Sequence, residues 1–251
     1  MDPDGNLYVE TADAPFDANN TPGADYGDSI LKLTASAVLS DYFEPLEQEY
    51  LFVEDLDLGS TGPLVIDNNR PDAAVPHLLI GSGKVADVYV MNRDNMGGFC
   101  STCQSSNSNI VQDVARPPDF GGCIPVVGHT SNCRYGSPAY FNAGGPSSTA
   151  DGFVYYPTNG AGLLSYPISN GVLATTPLRG AKILSAPGAP SVSSNGTSSG
   201  IVWVINRSSE NSKTGANTGT LYAYDAVTLA QLYTSDQAAE GREPAPCRQS
   251  L

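Results

Sequence analysis

The sequence predicts an all-β chain of repeated four-stranded antiparallel units, and three observations carry that expectation. In Gly219-Thr220-Leu221-Tyr222-Ala223-Tyr224-Asp225-Ala226 the side chains alternate, Leu221, Ala223 and Asp225 to one face and Tyr222 and Tyr224 to the other; a polar turn and a second short strand ending at Thr234 follow. With 26 glycines and 19 prolines in 251 residues, and no long apolar stripe at helical spacing, turns should be frequent and helix scarce. Gly62-Pro63, Ser137-Pro138 and Ala189-Pro190 each open an apolar run in the same way, and the last two lie one propeller-type repeat apart. Together these point to a partial β-propeller of about three and a half four-stranded blades.

Taken in order, Leu7-Tyr8-Val9-Glu10 is a strand entered from the turn Pro3-Asp4-Gly5-Asn6, with Leu7 and Val9 on one face. No strand precedes that turn, so the first blade, residues 1–57, reads as cut. Its other members are Asp28 to Leu33 and Val38 to Phe43, beyond a Gly-, Asn- and Asp-rich loop, and Glu44 to Asp57 reads as an acidic loop. The second blade, 58–112, takes Pro63 to Ile66, His77 to Gly81, Asp87 to Met91 and a weaker run at Ile110-Val111. Ser, Asn, Gly, Pro and Cys then displace the pattern over 99–135, which reads as an insertion.

The third blade, 136–186, contains Pro138 to Phe141, Gly152 to Tyr156, Leu163 to Tyr166 and Val172-Leu173, with Asn170-Gly171 as a tight turn. The fourth, 187–237, runs from Pro190 through Gly200 to Ile205 into the hairpin described first, with a polar excursion from Ser208 to Thr218. Residues 238–251 form an irregular tail where a further blade should open, so the segment reads as part of a larger ring. Open blade edges invite self-association or pairing with another chain.

The formal net charge of −14, with only 12 Lys and Arg, would repel phosphate backbones and anionic lipid and argues against a nucleic-acid partner. No apolar run is long enough to cross a bilayer, and Met1 to Asn6 has neither the basic start nor the apolar middle of a signal peptide. Four of the five cysteines, Cys100, Cys103, Cys123 and Cys133, crowd into the insertion, and Cys247 is left over. Two readings stay open: up to two local disulfides, implying an extracellular or periplasmic location, or a four-cysteine zinc site. The wide second pair and the Ser/Asn-rich loop favour disulfides, and a redox role for Cys100-x-x-Cys103 would need a helix N-terminus that the sequence does not supply. Asn19, Asn195 and Asn206 match the glycosylation pattern, a match that chance readily produces in so Asn-, Ser- and Thr-rich a chain. His77 and His129 have no nucleophile motif to serve, which argues against a hydrolase triad. Tyr140, Phe141, Tyr155, Tyr156, Tyr166, Tyr222 and Tyr224 suit either inter-blade packing or a carbohydrate-stacking face.

Leu221 to Ala226 with its Thr-centred turn resembles the repeat of quinoprotein dehydrogenases. A second resemblance, to quinoprotein alcohol dehydrogenases, lies in an ordered series: Glu10-Thr11-Ala12-Asp13, Pro15, Gly27-Asp28, Asp55-Leu56-Asp57 before Leu64-Val65-Ile66, then Lys84 and Val88-Tyr89-Val90-Met91-Asn92-Arg93-Asp94. The resemblance implies pyrroloquinoline quinone and calcium as cofactors, with Asp57 the catalytic carboxylate, Asp13 at a calcium ligand's position and Lys84 a cation at the quinone. In such chemistry the carboxylate takes the alcohol's hydroxyl proton while Ca²⁺ polarises a quinone carbonyl.

The departures matter equally. The family's second calcium-binding carboxylate, its quinone-stacking Trp and its adjacent-cysteine disulfide come from blades preceding this segment; there is no Cys-Cys pair here, and the only Trp, Trp203, falls in a later strand. The plainer alternatives are that Asp57 caps a turn, that Lys84 is solvated on a hairpin, and that Asp13 and Asp28 bond backbone amides. The leading expectation is therefore a binding or scaffold module, non-catalytic on its own. The alternative is part of a quinone- and calcium-dependent dehydrogenase oxidising an alcohol or sugar, and a third is a secreted glycan-binding module.

Overall fold

The computed structural model describes residues 1–67, 74–115, 136–144, 150–207 and 219–237. Among them are seventeen strands, one six-residue α-helix and two 3₁₀ turns, in four mainly antiparallel sheets, none of them closed. The chain forms two compact units, one of residues 1–135 with 169–175 and one of 136–168 with 176–251.

In the first unit β1 (Leu7–Glu10), β2 (Ile30–Leu33) and β3 (Leu39–Glu44) make an antiparallel sheet with Leu7 opposite Leu33 and Glu10 opposite Ile30. A second sheet takes β4 (Leu64–Asp67), β5 (His77–Ser82) and β6 (Val88–Asn92). β7 (Gly98–Phe99) runs parallel to β3 at the edge of the first sheet, and β8 (Gln112–Val114) completes the second. The fourth strand of that sheet thus begins just beyond Ile110-Val111. In β1 the alternation holds, and the face left open is that of Leu7 and Val9. Leu7 and Val9 are 40% and 38% exposed, while Tyr8 packs on the core and Glu10 shares its face.

The core of this unit joins both sheets through Ile30, Phe43, Leu79, Tyr89, Met91 and Met96. Into it project Leu51, Leu56 and Leu58, each at most 1% exposed and each worth about 1.5–3 kcal/mol of burial. Leu51 belongs to α1 (Gln48–Val53), a helix where an acidic loop was expected; six residues are too few to display a 3.6-residue period. It ends in a Schellman motif. The Leu56 amide donates to Leu51 O (2.9 Å) and the Asp55 amide to Phe52 O (3.4 Å), with Asp55 left-handed at φ 53°. Leu51 and Leu56 supply the apolar contact of that motif and deliver the chain to Asp57 and a 3₁₀ turn at Leu58–Ser60.

In the second unit β9 (Ala139–Asn142), β10 (Gly152–Tyr156) and β11 (Leu164–Ser169) pair antiparallel. The chain turns at Asn170-Gly171, both with positive φ as the tight-turn prediction requires, into β12 (Val172–Leu173) within the 169–175 segment of the first unit, and β13 (Leu178–Arg179), back in the second unit, pairs with β11. The last sheet runs in sequence order through β14 (Ser191–Asn195), β15 (Ser198–Arg207), β16 (Gly219–Asp225) and β17 (Gln231–Thr234).

The two sheets meet over Phe141, Phe153, Tyr155, Val202, Val204, Tyr222 and Tyr224, and the Tyr155 hydroxyl donates to Ala226 O at 2.5 Å. A Cβ on Gly200 would lie 2.7 Å from Ala226 Cβ and 2.8 Å from the Phe141 ring, so glycine permits this approach. Asp225 organises the β16–β17 turn, its Oδ1 accepting from the Val227 amide and from the Thr228 amide and hydroxyl. Burial acts to raise its pKa, but these bonds outweigh burial and lower it. Pro63, Pro138 and Pro190 directly precede β4, β9 and β14, each an edge strand of its sheet, where a missing amide donor costs least.

Candidate functional site

The first unit gathers its unusual chemistry at one end of its two sheets, where β1, β3 and β5 finish and β2 and β6 begin. Four loops meet there: 11–15, 27–29, 55–61 and 82–86. Close backbone contact requires glycine at three points. A Cβ on Gly27 would stand 1.8 Å from Ala14 O, one on Gly59 2.7 Å from Thr11 O, and one on Gly83 2.7 Å from Asp57 O. Asp13, Asp28, Asp55 and Ala86 occupy the left-handed region with φ of 48°, 50°, 53° and 65°. Asp tolerates that region better than most residues, and its concentration here marks a strained cluster of the kind found at binding sites.

Within the cluster Lys84 Nζ reaches Asp57 Oδ2 at 2.7 Å, Asp55 Oδ1 at 2.8 Å and Asp55 O at 2.9 Å, and the Lys84 amide donates to Asp57 O at 3.1 Å. The two residues that the resemblance singled out as base and quinone-side cation are therefore an ion pair. Burial works to lower the Lys84 pKa, but the bonds to Asp55 and Asp57 win and raise it. With its three protons directed at Asp55 and Asp57, Lys84 positions the Asp57 carboxylate and has none to spare for a further ligand. Asp57 Oδ1, by contrast, is buried and has no partner among the described residues.

Asp28 is fully buried. Its Oδ1 accepts from the Leu58 amide at 2.9 Å and it also takes a bond from the Asp13 amide, while Oδ2 has no partner. Burial, opposed by the Leu58 amide and reinforced by the Asp57 charge, pushes its pKa up to about 6. Asp13 therefore meets Asp28 through its backbone amide, so it is the Asp28 carboxylate that takes the amide-bonding role of the plainer reading. Glu10, at the end of β1, accepts from the Thr61 hydroxyl at 2.9 Å and leaves Oε1 unpartnered; burial, against the Thr61 and Ser82 bonds, raises it to about 8. Glu44, at the end of β3, is also fully buried with Oε1 unpartnered, and burial raises it to about 9.

The orphaned Asp57 oxygen fits a group that offers a hydroxyl proton. No three His, Cys, Asp or Glu side chains among the described residues are arranged to hold a metal ion, so these residues alone do not make a calcium cage. Sequence reasoning missed Glu10, Glu44 and the role of Asp55. Glu10 was recoverable from its shared phase with Tyr8 in β1, whereas Glu44 carries no local signal beyond following Phe43 at a strand end.

Elsewhere Cys100 and Cys103 are joined in a disulfide and offer zinc no thiolates; Cys123, Cys133, Cys247 and His129 lie outside the described residues. His77 opens β5 and pairs with Asp94 at 2.8 Å. Phe141, Tyr155, Tyr156, Tyr166, Tyr222 and Tyr224 are buried and Tyr140 half-buried, so the aromatic series packs inward and leaves no sugar-stacking face. No helix among the described residues is long and apolar enough to cross a membrane. No family model matches the chain, and no curated protein and no solved structure is similar to it.

Proposed function

We propose that this chain is a ligand-binding module of propeller-type blades related to the quinoprotein dehydrogenases, in which Asp57 receives a hydroxyl group of the ligand. The observation that carries the proposal is the asymmetry of the Asp57 carboxylate, with Oδ2 held by Lys84 at 2.7 Å and Oδ1 buried without a donor. A buried acceptor lacking its donor costs about 1–3 kcal/mol, and a ligand hydroxyl placed there would recover that penalty as affinity. Sheets of four or five strands entered through Pro63, Pro138 and Pro190, and the meeting of Asp13, Asp28, Asp57 and Lys84, support the quinoprotein-type reading.

A second reading, oxidation of an alcohol or sugar with pyrroloquinoline quinone and calcium, is favoured by the same oxygen, since a general base needs a free acceptor. The quinone would supply the two-electron acceptor. Asp57 would take the hydroxyl proton, and Lys84 would keep its carboxylate aimed.

Equilibrium dialysis of the purified chain against glucose, which offers hydroxyl protons, tests the first reading; dialysis against pyrroloquinoline quinone with Ca²⁺ and dye-coupled alcohol oxidation test the second. Binding that falls at least about tenfold in Asp57→Asn, without dye reduction, is the expected result. Asp57-dependent dye reduction would establish the enzyme instead, and retention of neither probe would overturn both readings.

A further inference from the structure

Ser29 Oγ has one proton and two acceptors in reach. It touches Glu44 Oε2 and lies 3.3 Å from Gly27 O. A hydroxyl cannot donate to both, so one contact must be supplied from the other side. Glu44 has the means if it is un-ionised. It is 0% exposed, its Oε1 has no partner, and no ion pair to it is present among the described residues. The groups that face it are the Asp28 carboxylate from the turn before β2, the Ser29 hydroxyl, and the Tyr42 phenol from its own strand. None is a cation, and a buried lone carboxylate would be far costlier than the acid.

We propose that Glu44 is a proton-carrying positioning residue: its Oε2–H donates to Ser29 Oγ, Ser29 Oγ–H donates to Gly27 O, and this chain fixes the turn that holds Asp28 against the Asp57 loop. Gly27 in turn sits on Ala14 and donates its amide to Pro15 O at 3.2 Å, and Asp28 ties down the Leu58 amide at 2.9 Å. The Ser29 backbone is already clamped, its amide to Thr11 Oγ1 and its carbonyl to the Thr11 amide, both at 2.9 Å. The proton on Glu44 thus decides whether the Gly27 carbonyl is satisfied. When it leaves, the Ser29 hydroxyl swings to the carboxylate and the turn loses its tie. The direction of the Glu44 shift, upward through burial to about 9, puts that change in the alkaline range.

This inference rests on the binding role given to Asp57 but is read without any ligand. Carboxyl-carbon NMR on glutamate-labelled protein should find two glutamate side chains still neutral at pH 7, those of Glu10 and Glu44, and Glu44→Gln should remove one of the two resonances while Glu10→Gln removes the other. Dialysis with glucose should show binding falling about tenfold between pH 8 and 10 in the native chain. Glu44→Gln, whose amide also donates to Ser29, should bind as the native chain does at pH 7 and lose the alkaline fall, and Glu44→Ala should bind weakly at every pH. An ionised Glu44 at pH 7, or the same pH profile in the native chain and Glu44→Gln, overturns the proposal. If the variants do not fold, the NMR titration of the unsubstituted protein decides. Neutral Glu44 in a chain that retains no glucose would sink only the binding reading, and ionised Glu44 in a chain that retains it would sink only this one.

Discussion

The two ends of the first unit's sheets treat buried acid in opposite ways. At the end where β1 begins, Asp2 is 5% exposed, yet both of its oxygens are fully engaged: Oδ1 takes the amides of Asp4 and Asn6, and Oδ2 takes the Asn6 side chain and the Tyr8 hydroxyl. Arg93, 3% exposed, lies 3.7 Å from Asp2 and 2.6 Å from Asp67, and Lys32 caps its carbonyl at 3.0 Å. Burial alone would raise Asp2, but the bonds from Asn6 and Tyr8, with Arg93 nearby, bring it down to about 2. At the other end Glu10, Asp28, Glu44 and Asp57 each keep one oxygen with no partner. The same sheets thus show what satisfied carboxylates look like, and the unsatisfied set stands out as something kept for another purpose at a cost in stability.

The contrast is broken most directly at Arg93. Arg93→Met should cost about 3 kcal/mol in urea unfolding, because removing one partner leaves the buried Asp2 without its cation. A loss below about 1 kcal/mol would mean that the hydrogen bonds to Asp2 suffice by themselves.

Next in size is the response to pH, which should have opposite signs at the two ends. Asp2 is lowered from an ordinary 3.8, so its contribution is complete above 3.8 and disappears as pH falls toward 2. Glu10 is raised from 4.5 to about 8, so the folded state binds the extra proton and stability declines as pH rises through that interval. Asp2→Asn should flatten the limb below pH 3.8 and Glu10→Gln the decline between pH 4.5 and about 8, each by no more than about 1.4 kcal/mol per pH unit. Equal slopes in Glu10→Gln and the native chain would show that Glu10 is ionised after all.

Asp57→Asn comes third. It should weaken glucose binding about tenfold, roughly 1.4 kcal/mol, while changing the unfolding midpoint little, because Lys84 keeps Asp55. A variant that loses stability instead of binding would make Asp57 a loop-capping residue. The smallest effect belongs to His77→Ala, about 0.5 kcal/mol or less, since the His77 and Asp94 side chains are 43% and 56% exposed and their pairing is screened by water.

Much of the β architecture is written in short-range pattern. The Pro-opened runs became edge strands because proline tolerates that position, and Asn170-Gly171 became a tight turn because both residues accept positive φ. What the pattern concealed has physical causes. α1 is too short to show a period and is held by Leu51, Leu56 and Leu58 packing beneath it, a tertiary effect. The sense of β1 was hidden because alternation specifies two faces without saying which is covered. The ordered series from Asp13 to Lys84 located the candidate site, but Lys84 spends its charge on Asp55 and Asp57, and that pairing depends on the Schellman turn at Asp55. Glu44 and Ser29 meet across neighbouring strands, fifteen residues apart in sequence, which no local motif records.

The prolines before β4, β9 and β14 have a consequence for how copies of this chain could polymerise. A strand approaching any of those borders meets a residue with no amide to offer just where its ladder would begin, so zippering is blocked at the outset. β1 and β17 carry no such obstacle, and they present Leu7, Val9, Leu232 and Tyr233 to water. Were copies of the chain to add strands to one another, β1 and β17 would be among the borders open to them, and lysines introduced there would be the economical means of suppressing it.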